Sequence, residues 1–278
     1  MAIKLGSSDI AKVYLGATEV DKIYLGATEI YSSFTPIAEY QAVLDYATTQ
    51  GYTLPSGGQQ VLQNNLIIAL KSAGVWAKLD TFCVWATDGD SDFALVDWIR
   101  LSNYTAVNSP TFTSNQGYAG NGTTSYIDSN FNPSVSGVNY VDGDLSFGWH
   151  MGAFGTGQIA FAAAVSGDAN WVRLGVKRFY YRGVSFKPYS GFTEAANQTV
   201  MATGSDTELR IYANGLVTET LPISVIPFAP NITFKAFYQT FTTAYSNYQL
   251  SMTYAGGVIT ATQAADFNTA WDTYLASI

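Results

Sequence analysis

The chain has 278 residues, 47% of them hydrophobic and only 12% charged, with a formal net charge of −8. That balance lacks the basic footprint of a nucleic-acid binder, and no run of 18 apolar residues is present to cross a bilayer. One cysteine and one histidine exclude an internal disulfide and the usual zinc ligand sets, which leaves a surface of Ser, Thr, Asn, Gln, Gly and Tyr typical of a turn-rich all-β domain.

Residues 1–34 repeat with a period of ten. Leu5-Gly6, Leu15-Gly16 and Leu25-Gly26 open the copies, and Ser8/Thr18/Thr28, Asp9/Glu19/Glu29, Ile10/Val20/Ile30 and Tyr14/Tyr24/Phe34 stay in register behind them. The Gly-Ala pairs suit type II′ turns, so the pattern predicts a meander of three- to four-residue strands. Strands that short have no core of their own, and a segment under about 40 residues without disulfide or metal needs a partner to stay folded. The repeat is therefore expected to be a docking arm. Leu5, Ile10, Tyr14, Leu15, Val20, Tyr24, Leu25 and Ile30 would supply its contacts, at ~1.5–3 kcal/mol for each large side chain buried. The alternative is a small satellite sheet on this chain's own core. The start, Met-Ala-Ile-Lys-Leu-Gly, has no apolar signal-peptide centre, so no secretory segment is expected.

Residues 35–79 predict a helical lead-in. Pro36 suits a first turn, and Ile37, Tyr40, Val43, Leu44 and Ala47 follow helical spacing up to Gly51. Ser56 to Gln59 has capping-box spacing for a second helix through Leu62, Leu66, Ala69 and Leu70, ending at Gly74. The pair is expected to bridge the arm to the remainder of the chain. From residue 80 to 278 short alternating runs predict a sandwich or barrel. Leu145, Phe147, Trp149 and Met151 form an inner set, with His150 on the opposite face. Val172, Leu174 and Val176 form another, as do Leu209 with Ile211 before the Asn214-Gly215 turn, and Leu250, Met252 and Tyr254. The lone Cys83, between Phe82 and Val84, is expected to be a buried small hydrophobe. A capping box from Thr260 to Gln263 opens a terminal helix over 260–276, with Ala264, Phe267, Trp271 and Leu275 on its apolar face.

Several stretches together resemble the concanavalin A-like (laminin-G-like) jelly roll. They are Gly120-Asn-Gly-Thr-Thr-Ser-Tyr-Ile127, resembling an early strand-turn-strand, and Arg210-Ile-Tyr-Ala-Asn-Gly215, resembling a late hairpin. Leu66 to Lys78, Ala86 to Asp90, Asn130 to Ser134 and the terminal helix resemble virion proteins of tailed phages in which such a lead-in runs into a jelly roll. The Leu-Gly-x-Thr-Glu-Ile-x-Lys-x-Tyr decapeptide is similar to N-termini of phage structural proteins. The resemblance covers most of the chain. It implies a mainly-β jelly-roll sandwich on a virion accessory protein, made in the host cytoplasm and carried on the particle exterior at the head or tail. Residues 1–34 would hold it to other virion proteins. It also implies a homo-oligomer, with a trimer favoured. The alternatives are a ligand-free cement or decoration protein and a polysaccharide-degrading enzyme.

No enzyme is expected. Glycoside hydrolysis needs two carboxylates across the bond, and none of Glu19, Glu29, Glu39, Glu194, Glu208 and Glu219 lies in an E-x-D-x-E-type strand. A Ser-His-Asp triad would have to use His150, which has no Gly-x-Ser-x-Gly elbow to serve and is expected at a polar surface. No cofactor is expected either; alternate carboxylates at Asp88, Asp90 and Asp92 are the candidate calcium ligands, although the run lacks the EF-hand glycine and glutamate. The candidate binding cluster is basic and aromatic: Trp171, Arg173, Lys177, Tyr180, Tyr181 and Arg182. Aromatic faces and guanidinium forks can take sugar rings and anionic groups of a host-surface polysaccharide. The competing reading is a solvated strand face.

Overall fold

The computed structural model describes residues 4–5, 8–9, 13–15, 18–20, 22–25, 28–32, 34–157, 160–163, 172–175, 178–181, 184–188, 195–222, 229–239 and 243–278, with strand backbone alone for those paired before residue 33 and between 172 and 188. The central strand, Asp144–Ala153, alternates as its sequence predicts. Leu145, Phe147, Trp149 and Met151 enter a core between two sheets, whereas Ser146 and His150 enter the opposite side. Both sides are buried.

Asp144–Ala153 lies between Gln198–Ser205 and Gln249–Gly256 in a ten-stranded antiparallel sheet. That sheet continues through Glu208–Ala213 to Leu216–Pro222 on one side, and through Leu79–Val84, Val96–Asp97 and Ser102–Asn103 on the other, while Gly117–Ala119 pairs with both Gln249–Gly256 and Thr111–Thr113. A seven-stranded sheet faces it, in the order Thr105–Val107, Tyr126–Asp128, Lys235–Ala236, Phe161–Ala163, Val172–Gly175, Arg178–Tyr181 and Val184–Pro188. This is the mainly-β sandwich expected from the alternating runs, of the jelly-roll-like kind that the resemblance implies. Leu209 and Ile211 face the inner core as predicted, and Asn214 and Gly215 adopt the positive φ (49° and 75°) that a two-residue Asn-Gly turn requires.

The stripe Leu250, Met252, Tyr254 does not share one face. Leu250 enters the inner core, while Met252 and Tyr254 enter the outer one. The reason is a bulge: Met151 pairs with Leu250 and His150 with Met252, leaving Ser251 extra. The Ser251 carbonyl accepts from both Trp85 and Ala86 backbone N–H groups (2.8 and 2.9 Å). One inserted residue reverses the face of everything after it.

Helices cover the back of the ten-stranded sheet. Helix α1 (Ala38–Gln50) starts two residues after Pro36 and stops at Gly51 in left-handed conformation (φ 79°). Helix α2 (Gly57–Ser72) is capped by the Ser56 side chain, but the Gln59 side chain reaches Asn115 and Asp88 rather than closing the capping box. A single turn, α3 (Pro133–Ser136), precedes the central strand. Helix α4 (Ala261–Leu275) has the complete capping box between Thr260 and Gln263. Tyr40, Val43, Leu66, Ile67, Phe267, Trp271 and Tyr274 from these helices join Phe82, Val84, Met201, Tyr212, Met252 and Tyr254 of the sheet in the outer core. The lead-in helices are thus a structural layer as well as a connection.

The N-terminal repeat forms three two-stranded hairpins: Lys4–Leu5 with Ser8–Asp9, Tyr14–Leu15 with Thr18–Glu19, and Lys22–Leu25 with Thr28–Ser32. Leu5 pairs with Ser8, Leu15 with Thr18 and Leu25 with Thr28, which is the two-residue loop spacing the glycines predict. No ladder joins these pairs to either large sheet among the described residues. Ile10 lies outside the described residues, and Val20 donates its backbone N–H to Val13 (2.7 Å).

Two local features lock the sandwich. The fully buried Asp97 carboxylate accepts from Thr81 Oγ1 (2.6 Å), from the Ile99 and Arg100 backbone (2.9 and 3.2 Å) and from Arg100 Nε (2.6 Å). Arg100 then donates to the carbonyls of Ser129 (2.6 Å) and Asn130 (2.9 Å), beyond the second strand of the opposite sheet, and lies over the Phe131 ring. Cys83 is buried, as expected, with its thiol donating to the Ala94 and Val96 carbonyls (3.3 and 3.2 Å). Burial pushes that thiol's pKa far up, and the nearby Asp97 adds to it. Asp97→Ala leaves Arg100 and several donors without their acceptor. The expected loss is about 3–5 kcal/mol, measured as a fall in the urea unfolding midpoint; a change under about 1 kcal/mol, the level of a surface ion pair, would show that Asp97 is not the staple.

Candidate functional site

One outer face of the sandwich lies under α1, α2 and α4; the other belongs to the seven-stranded sheet. On that second face the strand Tyr126–Asp128 turns Ile127 into the inner core and leaves Tyr126 and Asp128 half-exposed. Lys235 stands directly opposite Asp128, and their side chains form an ion pair of 2.8 Å. Thr233 Oγ1 donates to Asp128 (3.0 Å) and accepts from Lys235 Nζ (2.6 Å), so the three groups satisfy one another.

Next to the ion pair runs a row of tyrosines. The Tyr126 and Tyr238 rings are 4.9 Å apart between centroids, and Tyr238 and Tyr245 are 4.6 Å apart with planes 23° from parallel. Tyr238 and Tyr245 are paired across a short hairpin, Tyr238–Gln239 with Ala244–Tyr245. The row depends on an unusual backbone residue. Alternation would put Ala236 and Phe237 on opposite faces, yet both are buried in the inner core. Phe237 achieves this with φ 67°, a left-handed conformation that costs a bulky residue of order 1–3 kcal/mol. The kink turns Phe237 inward and delivers Tyr238 to the outer face. Gly120 permits the close approach, since a Cβ there would meet Ser246 O at 2.2 Å and Phe237 Cβ at 2.9 Å. Partial burial raises the pKa of Tyr126 and Tyr238, with Asp128 and Tyr245 as further causes, so both phenols stay neutral at physiological pH.

Strand register links this row to the basic cluster picked out in the sequence. Asp128 pairs with Lys235, Lys235 with Ala162, Ala162 with Arg173, and Arg173 with Tyr180. Because Phe161 and Ala163 face the inner core, that cross-strand row is the outer-face row. Tyr181 pairs with Val172 one step along, in line with Ala163. Trp171, Lys177 and Arg182 of the predicted cluster, and Val176 of the predicted inner set, lie outside the described residues. The tyrosine row was not picked out from sequence. Tyr126 is distant along the chain from Tyr238 and Tyr245, and the kink at Phe237 leaves no mark in the pattern.

Of the remaining candidates, Asp88 and Asp90 have structural partners, and Asp92 opens the single turn Phe93–Leu95, its backbone carbonyl accepting from Leu95 N–H (3.1 Å). Asp88 accepts from the Ser56 backbone (3.0 Å), and Asp90 accepts from the Thr53 and Phe93 backbones (2.6 and 2.8 Å). These carboxylates clamp the loop before α2 to the loop after Leu79–Val84, and no group of three potential metal ligands occurs among the described residues. Glu39 pairs with Lys71 and Glu208 with Arg210. His150 is not at a polar surface as expected: it is only 2% exposed, beneath α4, with its ring 5.7 Å from Trp271. Helix α4 covers a sheet face that period-two alternation alone would leave to solvent.

No family model matches this chain, and no curated protein matches it. Solved structures do match in fold. Domain 4 of AbnA, a GH43 extracellular arabinanase from Geobacillus stearothermophilus, solved with arabinotriose, aligns with a TM-score of 0.51 at 13% identity, covering 68% of this chain and 98% of that domain. A Trypanosoma rangeli sialidase in complex with 2,3-difluorosialic acid aligns at 0.52 and 12%, covering 71% of this chain and 33% of the sialidase. The same sialidase with 2,3-difluoro-KDN aligns at 0.54 and 11%, covering 77% and 40%. The chain therefore spans about a third to two fifths of the sialidase, and at these identities the likeness is one of fold.

Burial drives the His150 pKa from 6.5 down to about 4. Between those values the unfolded chain takes up a proton that the folded chain refuses, so stability rises with pH across this window and levels off above it. The full difference is roughly 3 kcal/mol. His150→Gln is expected to remove that slope when urea midpoints of the two proteins are compared from pH 4 to pH 7; parallel curves would show that His150 titrates normally.

Proposed function

We propose that this chain is a non-catalytic glycan-binding module carried by a tailed-phage or phage-like particle. In this reading the N-terminal hairpins fix it to a neighbouring virion protein and the sandwich presents its seven-stranded face to a host-surface glycan. The observation that carries the binding part is the asymmetry of the two outer faces. One is occupied by the chain's own helices. The other offers half-exposed tyrosine rings beside a self-neutralised ion pair, a combination of apolar ring and polar tip suited to sugars. The likeness in fold to a domain solved with arabinotriose agrees with this reading. Hairpins of two to five residues per strand, joined to neither main sheet by a ladder among the described residues, support docking, because such pairs gain their stability from what they pack against. Display in many copies would make weak single sites effective.

Two outcomes test the proposal. Tyr245→Ala should weaken binding on a glycan array by about tenfold, the scale of one lost aromatic contact, while the unfolding midpoint stays within error. A protein lacking residues 1–34 should remain folded and be missing from purified particles. Normal copy number of the truncated protein would remove the docking role, and a silent array would leave a ligand-free cement protein.

A further inference from the structure

Among the residues whose side chains are described, five tyrosines are half-exposed: Tyr46, Tyr52, Tyr126, Tyr238 and Tyr245. The hydroxyls of Tyr46 and Tyr52 are both bonded to the Asn103 side chain (2.8 and 3.0 Å). Tyr126, Tyr238 and Tyr245 instead meet ring to ring. Of these contacts, Tyr238 with Tyr245 is the closer and the more nearly parallel, at 4.6 Å and 23° against 4.9 Å and 32° for Tyr126 with Tyr238. Tyr238 and Tyr245 stand directly opposite each other across their hairpin, a position that holds Cβ atoms about 4.5–5.5 Å apart. The base of the hairpin is fixed as well, because Ser246 N–H donates to the carbonyl of the kinked Phe237 (3.0 Å). Two phenols are thus held in a stack by backbone geometry and left partly open to solvent.

We infer that Tyr238 and Tyr245 form an oxidative modification site, at which one-electron oxidation driven by a peroxide joins the two rings as dityrosine. Each phenol gives up one electron and its hydroxyl proton. The two phenoxyl radicals form one carbon–carbon bond between ring carbons ortho to the oxygens, and each ortho hydrogen then moves to the oxygen beside it, which restores both phenols. The two electrons and two protons released reduce one hydrogen peroxide to two waters, with a haem peroxidase passing the electrons singly. A near-parallel stack brings the ring carbons together face to face, the approach that radical coupling needs, and partial exposure gives the protons a way out. A pair already held in this geometry couples ahead of tyrosines that must meet by diffusion. The new bond closes the loop between residues 238 and 245 and pins both phenols on the exposed face, whatever that face binds.

The test treats the full chain with hydrogen peroxide and a haem peroxidase and reads dityrosine by its fluorescence, by intact mass and by peptide mapping. The expected product is a single chain lighter by two hydrogens, with the link mapped to Tyr238 and Tyr245. Tyr245→Phe keeps the ring and loses the phenol, so it should remove the signal, whereas Tyr126→Phe should keep it; both variants should retain the urea midpoint of the parent. A link mapped to any other pair would overturn the assignment, and so would coupling found only between molecules. A signal that persists in Tyr245→Phe would overturn it too. Absence of dityrosine in the chain, while free tyrosine in the same mixture couples, would show that the stack is not a site of oxidation.

Discussion

The central strands of the ten-stranded sheet have no face left for water, and the rest of the architecture depends on that. Antiparallel sheets usually bury one side and wet the other. Here the central strand carries Trp149 and Phe147 on one side and buried Ser146 and His150 on the other. The inner side is closed by the seven-stranded sheet, and the outer side needs a third layer. Helices from both ends of the sandwich provide it: α1 and α2 precede the first strand, α4 comes after the last, and Gln63 of α2 donates to the Tyr274 hydroxyl of α4 (3.2 Å). The helical layer thus closes on itself across most of the chain's length.

The same constraint underlies the choice of face in the proposed function. With one outer face committed to packing, the other is where the half-exposed side chains of Tyr126, Asp128, Lys235 and Tyr238 lie. It is not a generic polar surface. The ion pair between its second and third strands is internally matched, and the tyrosines are held by a backbone conformation that a phenylalanine adopts only under constraint. Strain of this kind persists where the surroundings over-determine it, and here the surroundings are the inner-core contacts of Phe237, including Trp85 at 6.0 Å between centroids.

Period and punctuation carried much of the fold. Alternation in 145–151 and 209–211, the Asn214-Gly215 turn, the Thr260 capping box and Gly51 all act within a few residues of themselves, and each did what its chemistry requires. What was hidden was non-local. The bulge at Ser251 looks like an unbroken stripe in sequence because the extra residue is defined only by its partners, Met151 and His150. The burial of His150 depends on a helix more than a hundred residues away. Asp88, Asp90 and Asp92 are spaced as a candidate cation loop, and spacing alone cannot distinguish carboxylates aimed at a metal from those that accept from backbone N–H groups, as Asp88 and Asp90 do. The basic cluster was visible by composition, but its connection to Tyr126 and Tyr238 required strand order 105, 126, 235, 161, 172, which sequence order conceals.

Cys83 has a practical meaning beyond its packing. It is the chain's one cysteine, and its thiol is enclosed, committed to two carbonyls and kept protonated by its surroundings. The native protein therefore presents no competing nucleophilic sulfur to an alkylating reagent. A cysteine introduced at exposed Thr105, in the outer-face row beside Asp128, would be a unique handle for a dye, a spin label or a cross-linker. The inner core could stay untouched, and whatever settles on that face could be located by the probe it displaces.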